Sequence, residues 1–283
     1  MDFWRHVYDH FDPIAFTIGP FHVHWYGIMY VLALVTALYA AKWYVRHDRF
    51  PIDEKLLESF FIYVEIGVIL GARIGYILFY DPHTIYYLTH PWEIFNPFHG
   101  GTFTGISGMS YHGAVIGFLI GTWIFVKRTK TSFWMWMDLV ALSVPVGYVF
   151  GRIGNFLNQE LVGRATDVPW GIYVGQTLRH PSQLYEAFLE GIVVGAILFV
   201  YRKYQRFEGE LIALYAIFYG VARFVAEFWR APDIQLGFVC CGWMTMGQIL
   251  SFAMIVAGFV AYRWLARRGR PVTFRQDVRS RNR

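Results

Sequence analysis

Charge is scarce in this chain. Asp, Glu, Lys and Arg make up 16% of its 283 residues, against roughly 25% in an ordinary soluble domain. Cysteine is scarcer still, with two adjacent residues, Cys240 and Cys241. Neighbouring cysteines rarely make a relaxed disulfide, so neither a disulfide framework nor a metal site is expected. The pair reads as two small apolar residues near a helix end. A P-loop, a nucleophile elbow, HExxH and Cys/His metal spacings are all missing. No metal, nucleotide or other cofactor is therefore expected, and the nucleophile of any reaction comes from the substrate. There is no internal repeat and no low-complexity tract. The start, Met1-Asp2-Phe3-Trp4-Arg5-His6, is mixed rather than basic then apolar, so a cleavable signal peptide is not expected.

What is abundant is apolar surface. Hydrophobic residues reach 56%, mean hydropathy is +0.36, and aromatics reach 20% with 11 Trp and 19 Tyr. Such rings suit the half-wet belts of a bilayer. A span takes about 20 apolar residues, and seven candidates fit: about 21–44, 56–80, 111–126, 134–157, 182–201, 209–230 and 243–265. The third is short in apolar residues alone and is expected to begin earlier, through the glycine-rich stretch from Gly100. The fold class is therefore an all-α polytopic membrane protein of seven helices, one integral-membrane domain over 1–283. The long connections 81–110 and 158–181 are expected to form a small cap.

The net charge of +5 would suit nucleic acid, but its distribution points elsewhere. Segments 42–55, 127–132, 202–208 and the tail from 263 hold 4, 3, 3 and 8 of the 25 Lys and Arg. The opposite connections hold only Arg5, Arg164 and Arg179. By the positive-inside rule the basic set, including the tail 266–283, is cytoplasmic, and the N-terminus and both long connections face outward. Arg73, Arg152, Arg223 and Arg230 remain, within or at the ends of spans. A charge at mid-bilayer costs about 2.5–3.5 kcal/mol or more, so an intramembrane arginine marks a site by default. By this topology the last three lie toward the outer side, which suggests an anionic ligand there.

Helical spacing groups them. Tyr148, Arg152, Asn155 and Gln159 share one face, and so do Tyr219, Arg223, Glu227 and Arg230. A structural ion pair such as Arg223 with Glu227 accounts for one stripe. Two stripes at similar depth favour a shared site, and a planar guanidinium donates two parallel hydrogen bonds to phosphate. His112, in Gly108-Met-Ser-Tyr-His-Gly113, carries an imidazole, a side-chain type that can act as a base, or can be a hydrogen-bonded interfacial residue. Arg73 lies in Gly67-xxx-Gly71-xxx-Gly75, the close-packing pattern of membrane helices, and either binds a headgroup or buttresses Glu65. Tyr26 reads from spacing alone as an aromatic-belt residue. An anionic-lipid transporter or flippase would use the same arginines, but would more often show an internal repeat. A non-catalytic lipid receptor is the other rival.

The segment Gly151-Arg-Ile-Gly-Asn-Phe-Leu-Asn-Gln-Glu-Leu-Val-Gly163 resembles the signature of the bacterial prolipoprotein diacylglyceryl transferases. Trp25-Tyr-Gly27, Gly71-Ala-Arg-Ile-Gly-Tyr76, Met109-Ser-Tyr-His-Gly113, His180-Pro-Ser-Gln-Leu-Tyr-Glu186 and the pair Tyr219–Arg223 and Glu227–Arg230 are similar too, in family order over about 15–265. Ala114 departs from the pattern, where a second glycine commonly follows the histidine. The resemblance implies a seven-helix enzyme of the bacterial inner membrane. Such enzymes move the diacylglyceryl group of phosphatidylglycerol, a membrane lipid, onto the lipobox cysteine thiol of a preprolipoprotein signal peptide. It also implies site roles for Tyr26, His112, Arg152, Asn155, Glu160, Tyr219, Arg223 and Glu227, with Arg73 and Gly113 as contributors. On that chemistry Arg152 and Arg223 bind the phosphate, and Asn155 and Tyr26 orient glycerol or ester oxygens. Glu160 and Glu227 hold the arginines. His112, a second arginine or water takes the thiol proton.

Overall fold

The computed structural model describes residues 2–19, 21–99, 102–103, 108–232, 236–268 and 270–272, the side chains of 99, 102 and 103 excepted. Of the tail 266–283, residues 269 and 273–283 lie outside the described residues. Among the described residues seven long helices follow one another: α1 (Trp25–His47), α2 (Glu54–Phe79), α3 (Tyr111–Thr129), α4 (Phe133–Leu157), α5 (Ser182–Tyr204), α6 (Glu210–Ala226) and α7 (Met246–Arg268). Among the described residues, α1, α2, α4, α5 and α7 are long and apolar enough to cross a membrane. Among the described residues three antiparallel hairpins lie outside these helices: β1 (Ile14–Ile18) with β2 (Phe21–His24) before α1, β3 (Phe98–His99) with β4 (Thr102–Phe103) between α2 and α3, and β5 (Ile172–Val174) with β6 (Thr177–Arg179) between α4 and α5. The all-α expectation is thus amended only outside the long helices.

Several boundaries differ from the sequence reading. The expected early start of the third helix falls partly on residues 100–101 and 104–107, outside the described residues. Residues 108–110 are not helical: Gly108 has φ +82°, and α3 begins only at Tyr111. Ser110 stops it from reaching further back, because its hydroxyl accepts from the Gly113 N–H at 3.1 Å, an N-cap. Likewise α6 ends at Ala226, with Glu227 as its C-cap, so Arg230 lies in the following turn rather than on the helix. In α5, residues Ala187–Val193 form a π-helical segment, an arrangement that often occurs at functional sites.

The chain falls into two compact units, Ile52–Trp136 and the pair of segments Met1–Pro51 and Met137–Arg283. In the first, α2 and α3 pack through glycines. A Cβ on Gly117 would lie 2.8 Å from the Gly67 carbonyl carbon and 3.0 Å from the Gly71 Cα. Backbone meets backbone here, as small-xxx-small spacing anticipates. Below the seam, Phe60 stacks on Trp136 at 4.3 Å and Phe125 meets it edge-on at 5.2 Å. Gly117→Leu is expected to force the two helices apart and destabilise the protein by about 1–3 kcal/mol. The readout is the midpoint of thermal unfolding in detergent. Gly27→Leu, where nothing lies within 4 Å of the added carbon, should leave it close to wild type.

In the second unit α4 is the central element. Over half of its span is enclosed, against a third or less for the other four spans. Asp138 of α4, fully buried, accepts from the backbone N–H groups of Gly209 (2.6 Å), Leu211 (2.9 Å) and Ile212 (3.1 Å). A carboxylate from one helix thereby caps the orphan donors and the positive dipole end of α6. That contact sets the position of α6, and with it Tyr219 and Arg223, against α4.

Candidate functional site

Two glycines let α1 approach α4. A Cβ on Gly147 would lie 2.6 Å from the Ala33 carbonyl oxygen, and one on Gly154 would lie 3.0 Å from Met29 Cβ and 3.4 Å from the Tyr26 ring. Tyr26, in the first turn of α1, therefore rests against α4 one residue before Asn155. Its phenol is partly exposed and feels the charges of Glu160 and Arg152.

Arg152 projects from the last turns of α4. Its Nε donates to the Tyr148 hydroxyl (2.7 Å), Nη1 to Asn155 Oδ1 (3.2 Å), and Nη2 pairs with Glu186 Oε2 (3.0 Å). From α6, Arg223 Nη1 donates to the same Glu186 oxygen at 2.8 Å and lies 3.5 Å from Glu190 Oε1, and Nη2 donates to Glu227. Arg230 reaches Glu186 Oε1 (3.5 Å) and Glu227 Oε1 (3.7 Å) from the turn after α6. The two stripes thus converge on Glu186, a residue of neither. Tyr148 donates to Glu190, and Tyr219 donates to the Tyr148 hydroxyl at 3.4 Å. Glu227 also accepts from the Thr245 hydroxyl at 2.9 Å, at the entry to α7.

The sequence reading missed Glu186 and Glu190 as site residues. Both are carboxylates within an apolar span, spaced i, i+4, and the argument that singled out the arginines applies equally to them. The π segment that follows Glu186 and contains Glu190 places Gly191 against the Val149 side chain and the Pro145 carbonyl, which brings α5 close enough for Glu186 and Glu190 to meet α4 and α6. Gln159 does not share the face of Arg152. It lies past the end of α4 with φ +57°, and its amide donates to the carbonyls of Tyr8 (3.4 Å) and Phe11 (3.3 Å). Glu160 accepts from Asn155 Nδ2 at 2.7 Å rather than holding an arginine. Gln183 in turn fixes Glu160, donating to its carbonyl at 2.5 Å.

Formal charge within this cluster balances: Arg152, Arg223 and Arg230 against Glu186, Glu190 and Glu227. Exposure is unequal. The three glutamate side chains are 0–4% exposed, whereas Arg152 and Arg223 are 15% and Arg230 is 11% exposed. The carboxylates are sealed, and the arginine side chains keep a slight exposure. A guanidinium has five N–H donors, so Arg152, which commits three, keeps others for an incoming anion. A fourth arginine, Arg164, frames the rim. It donates to the Arg230 carbonyl (2.9 Å) and the Glu227 carbonyl (3.0 Å), tying the 158–181 connection to the end of α6. On the same rim His180 Nδ1 lies 3.2 Å from the Tyr185 hydroxyl, and burial lowers its pKa below the usual histidine value.

The remaining candidates belong to the other unit. His112 is exposed in the first turn of α3, edge-on to Tyr111 at 6.0 Å. Gly113 beside it is buried against the Gly71 carbonyl and Gly75 Cα. Arg73 is buried too; its Nε donates to the Ile94 carbonyl at 2.6 Å, and its guanidinium lies 5.6 Å from the Tyr87 ring. It clasps the 81–110 connection onto α2. Among the described residues no group of three or more His, Cys, Asp or Glu could hold a metal ion.

Long apolar helices surrounding three sealed carboxylates, each paired with arginine, define a helical membrane protein with a buried ion-pair cluster. Comparison with known proteins supplies the family. The family model for prolipoprotein diacylglyceryl transferase matches residues 13–264. A phosphatidylglycerol–prolipoprotein diacylglyceryl transferase of Campylobacter lari is 64% identical over 258 residues, covering 91% of this chain and 95% of that protein. Proteins of the same name from Wolinella succinogenes and Aliarcobacter butzleri are 62% and 56% identical, over 94% and 93% of this chain and 98% and 97% of theirs. The chain belongs to the prolipoprotein diacylglyceryl transferase family.

Proposed function

We propose that the chain transfers the diacylglyceryl group of phosphatidylglycerol to the lipobox cysteine of a preprolipoprotein signal peptide. The convergence of Arg152, Arg223 and Arg230 on sealed glutamates within the apolar helices carries this reading. The similar proteins are named for the same lipid and protein substrates. In the reaction the cysteine sulfur attacks the glyceryl carbon, the C–S bond forms and the C–O bond to phosphate breaks. A thioether and glycerol phosphate result, and the thiol proton leaves to a base. Charge on the departing phosphate grows from about −1 toward −2, and guanidiniums fixed in advance by Glu186 and Tyr148 stabilise it without reorganising. Asn155, held by Glu160, and Tyr26 orient the oxygens of the glycerol backbone. By family resemblance, Arg73 and Gly113 contribute to lipid binding and His112 takes the thiol proton.

The same reading makes all seven helices spans of one integral-membrane domain. In the bacterial inner membrane the N-terminus is outside, the C-terminus is cytoplasmic, and the site faces outward. The short α3 and α6 cross with help from their neighbours, and the lysines and arginines at one end of the bundle fix the orientation. The connections 81–110 and 158–181 cap the outer side and guide the peptide. The test is direct: purified protein, radiolabelled phosphatidylglycerol and a lipobox peptide. Thioether-linked product supports the reading, and lipid movement across vesicles without product favours a flippase. His112→Gln is expected to lower the rate about 10²-fold at neutral pH. Full activity in that variant would remove the base assignment and leave the arginine site intact.

A further inference from the structure

The turn between α6 and α7 carries the only two cysteines of the chain, and they do not behave as buried apolar fillers. Cys240 and Cys241 are both exposed, and their thiols are in contact. Their closeness is built into the turn. Val239 N donates to the Met244 carbonyl at 2.9 Å, Met244 N donates back to the Cys240 carbonyl at 3.0 Å, and Cys241 takes a left-handed φ of +58°. Such a conformation costs a non-glycine residue energy, and here it coincides with turning the two sulfurs toward each other. One residue beyond this clamp, Thr245 donates to Glu227 at 2.9 Å, the glutamate that holds Arg223. Trp243, within the turn, stacks on Phe228 at 6.1 Å. The dithiol thus lies four residues before the threonine that binds a carboxylate of the arginine cluster.

We propose that Cys240 and Cys241 form a reversible dithiol–disulfide modification site for low-molecular-weight disulfides, and that closing it shifts the turn that brings Thr245 to Glu227. The thiolate of one cysteine attacks the reagent disulfide, giving a mixed disulfide and one released thiol. The second cysteine then attacks the sulfur of the first, closing an S–S bond and releasing the other thiol. Two cysteine thiols are oxidised, one reagent disulfide is reduced to two thiols, and the two protons leave with them. Adjacent Cα atoms stand about 3.8 Å apart, below the usual ~4.4–6.8 Å of a disulfide. A bond between neighbours is therefore easily reduced, a property of regulatory rather than structural disulfides.

The effect on the site rests on the reading given under Proposed function; the modification itself does not. Full-length protein in phospholipid nanodiscs is treated with oxidised glutathione, then with a thiol-alkylating maleimide, and its intact mass is read. The expected product has lost two hydrogens, takes up no maleimide, and regains two alkylatable thiols after dithiothreitol. Cys241→Ser is expected to give a stable glutathione adduct instead. Two maleimides on the oxidised wild type, or glutathione adducts on both cysteines, would overturn the site. In the transfer assay the oxidised protein is expected to be slower by about tenfold, the scale of one charge-assisted hydrogen bond, with Cys240→Ser unaffected by oxidation. Ring closure with an unchanged rate would remove the coupling to Glu227. Ring closure in a protein without transferase activity would leave the modification standing and remove the proposed reaction.

Discussion

Arg223→Ala is expected to lower the transfer rate by about 10²–10³-fold, the usual loss when one preorganised donor to a developing anion is removed. The geometry adds to that loss. Arg223 is shared by Glu186, Glu190 and Glu227, so its deletion also leaves the cluster with an excess of negative charge facing the phosphate. Arg152→Ala should fall in the same range, because it approaches the same Glu186 oxygen from the opposite helix at 3.0 Å. Lysine at either position keeps the charge but not the planar fork, so recovery should be partial. Single-turnover transfer with labelled lipid separates the step from binding: the deficit should lie mainly in the rate at saturating lipid. Variants that fold normally and stay within twofold of wild type would place the phosphate elsewhere. The double variant should lose less than the product of the two single losses, since both donors act on one group.

Much of this arrangement is legible in the chain itself. Each of the seven long helices lies within a few residues of an apolar run, because length and hydropathy are properties of one segment. The two arginine stripes are legible for the same reason, since helical spacing puts Tyr148, Arg152 and Asn155 on one face before any neighbour is known. What the chain does not announce is where a helix yields to something else. Gln159 falls on the stripe by arithmetic, yet α4 stops at Leu157 and the backbone turns left-handed at Gln159. The early start expected for the third helix fails on a cap, Ser110, and on the non-helical Gly108. The joining residues are hidden differently. Glu186 and Glu190 sit in a segment that reads as an ordinary span, and only the π segment and the glycine contacts with Pro145 and Val149 bring them to the arginines. The partner of an intramembrane charge is a tertiary fact, although the presence of two glutamates in a span already says that partners exist.

Glu186 is expected to matter more for stability than any arginine it holds. It is fully buried and meets Arg152, Arg223 and Arg230. Removing one partner of a buried ion pair leaves the other charge uncompensated, at a cost of about 3–5 kcal/mol, and here three guanidiniums depend on one carboxylate. Glu186→Ala should therefore lower the thermal midpoint in detergent sharply, with transfer lost even below the melting range. Glu186→Gln keeps the shape and one acceptor oxygen, so its destabilisation should be smaller while the excess positive charge remains. Replacing Arg230 as well as Glu186 separates electrostatics from packing. The ion pairs of Arg230 are long, 3.5 Å to Glu186 and 3.7 Å to Glu227, so if charge imbalance is the cause, Glu186→Ala with Arg230→Met should be more stable than Glu186→Ala alone. If the double variant is instead less stable by the sum of the two single losses, the cluster is held by packing. The guanidiniums would then owe their position to the helices rather than to Glu186.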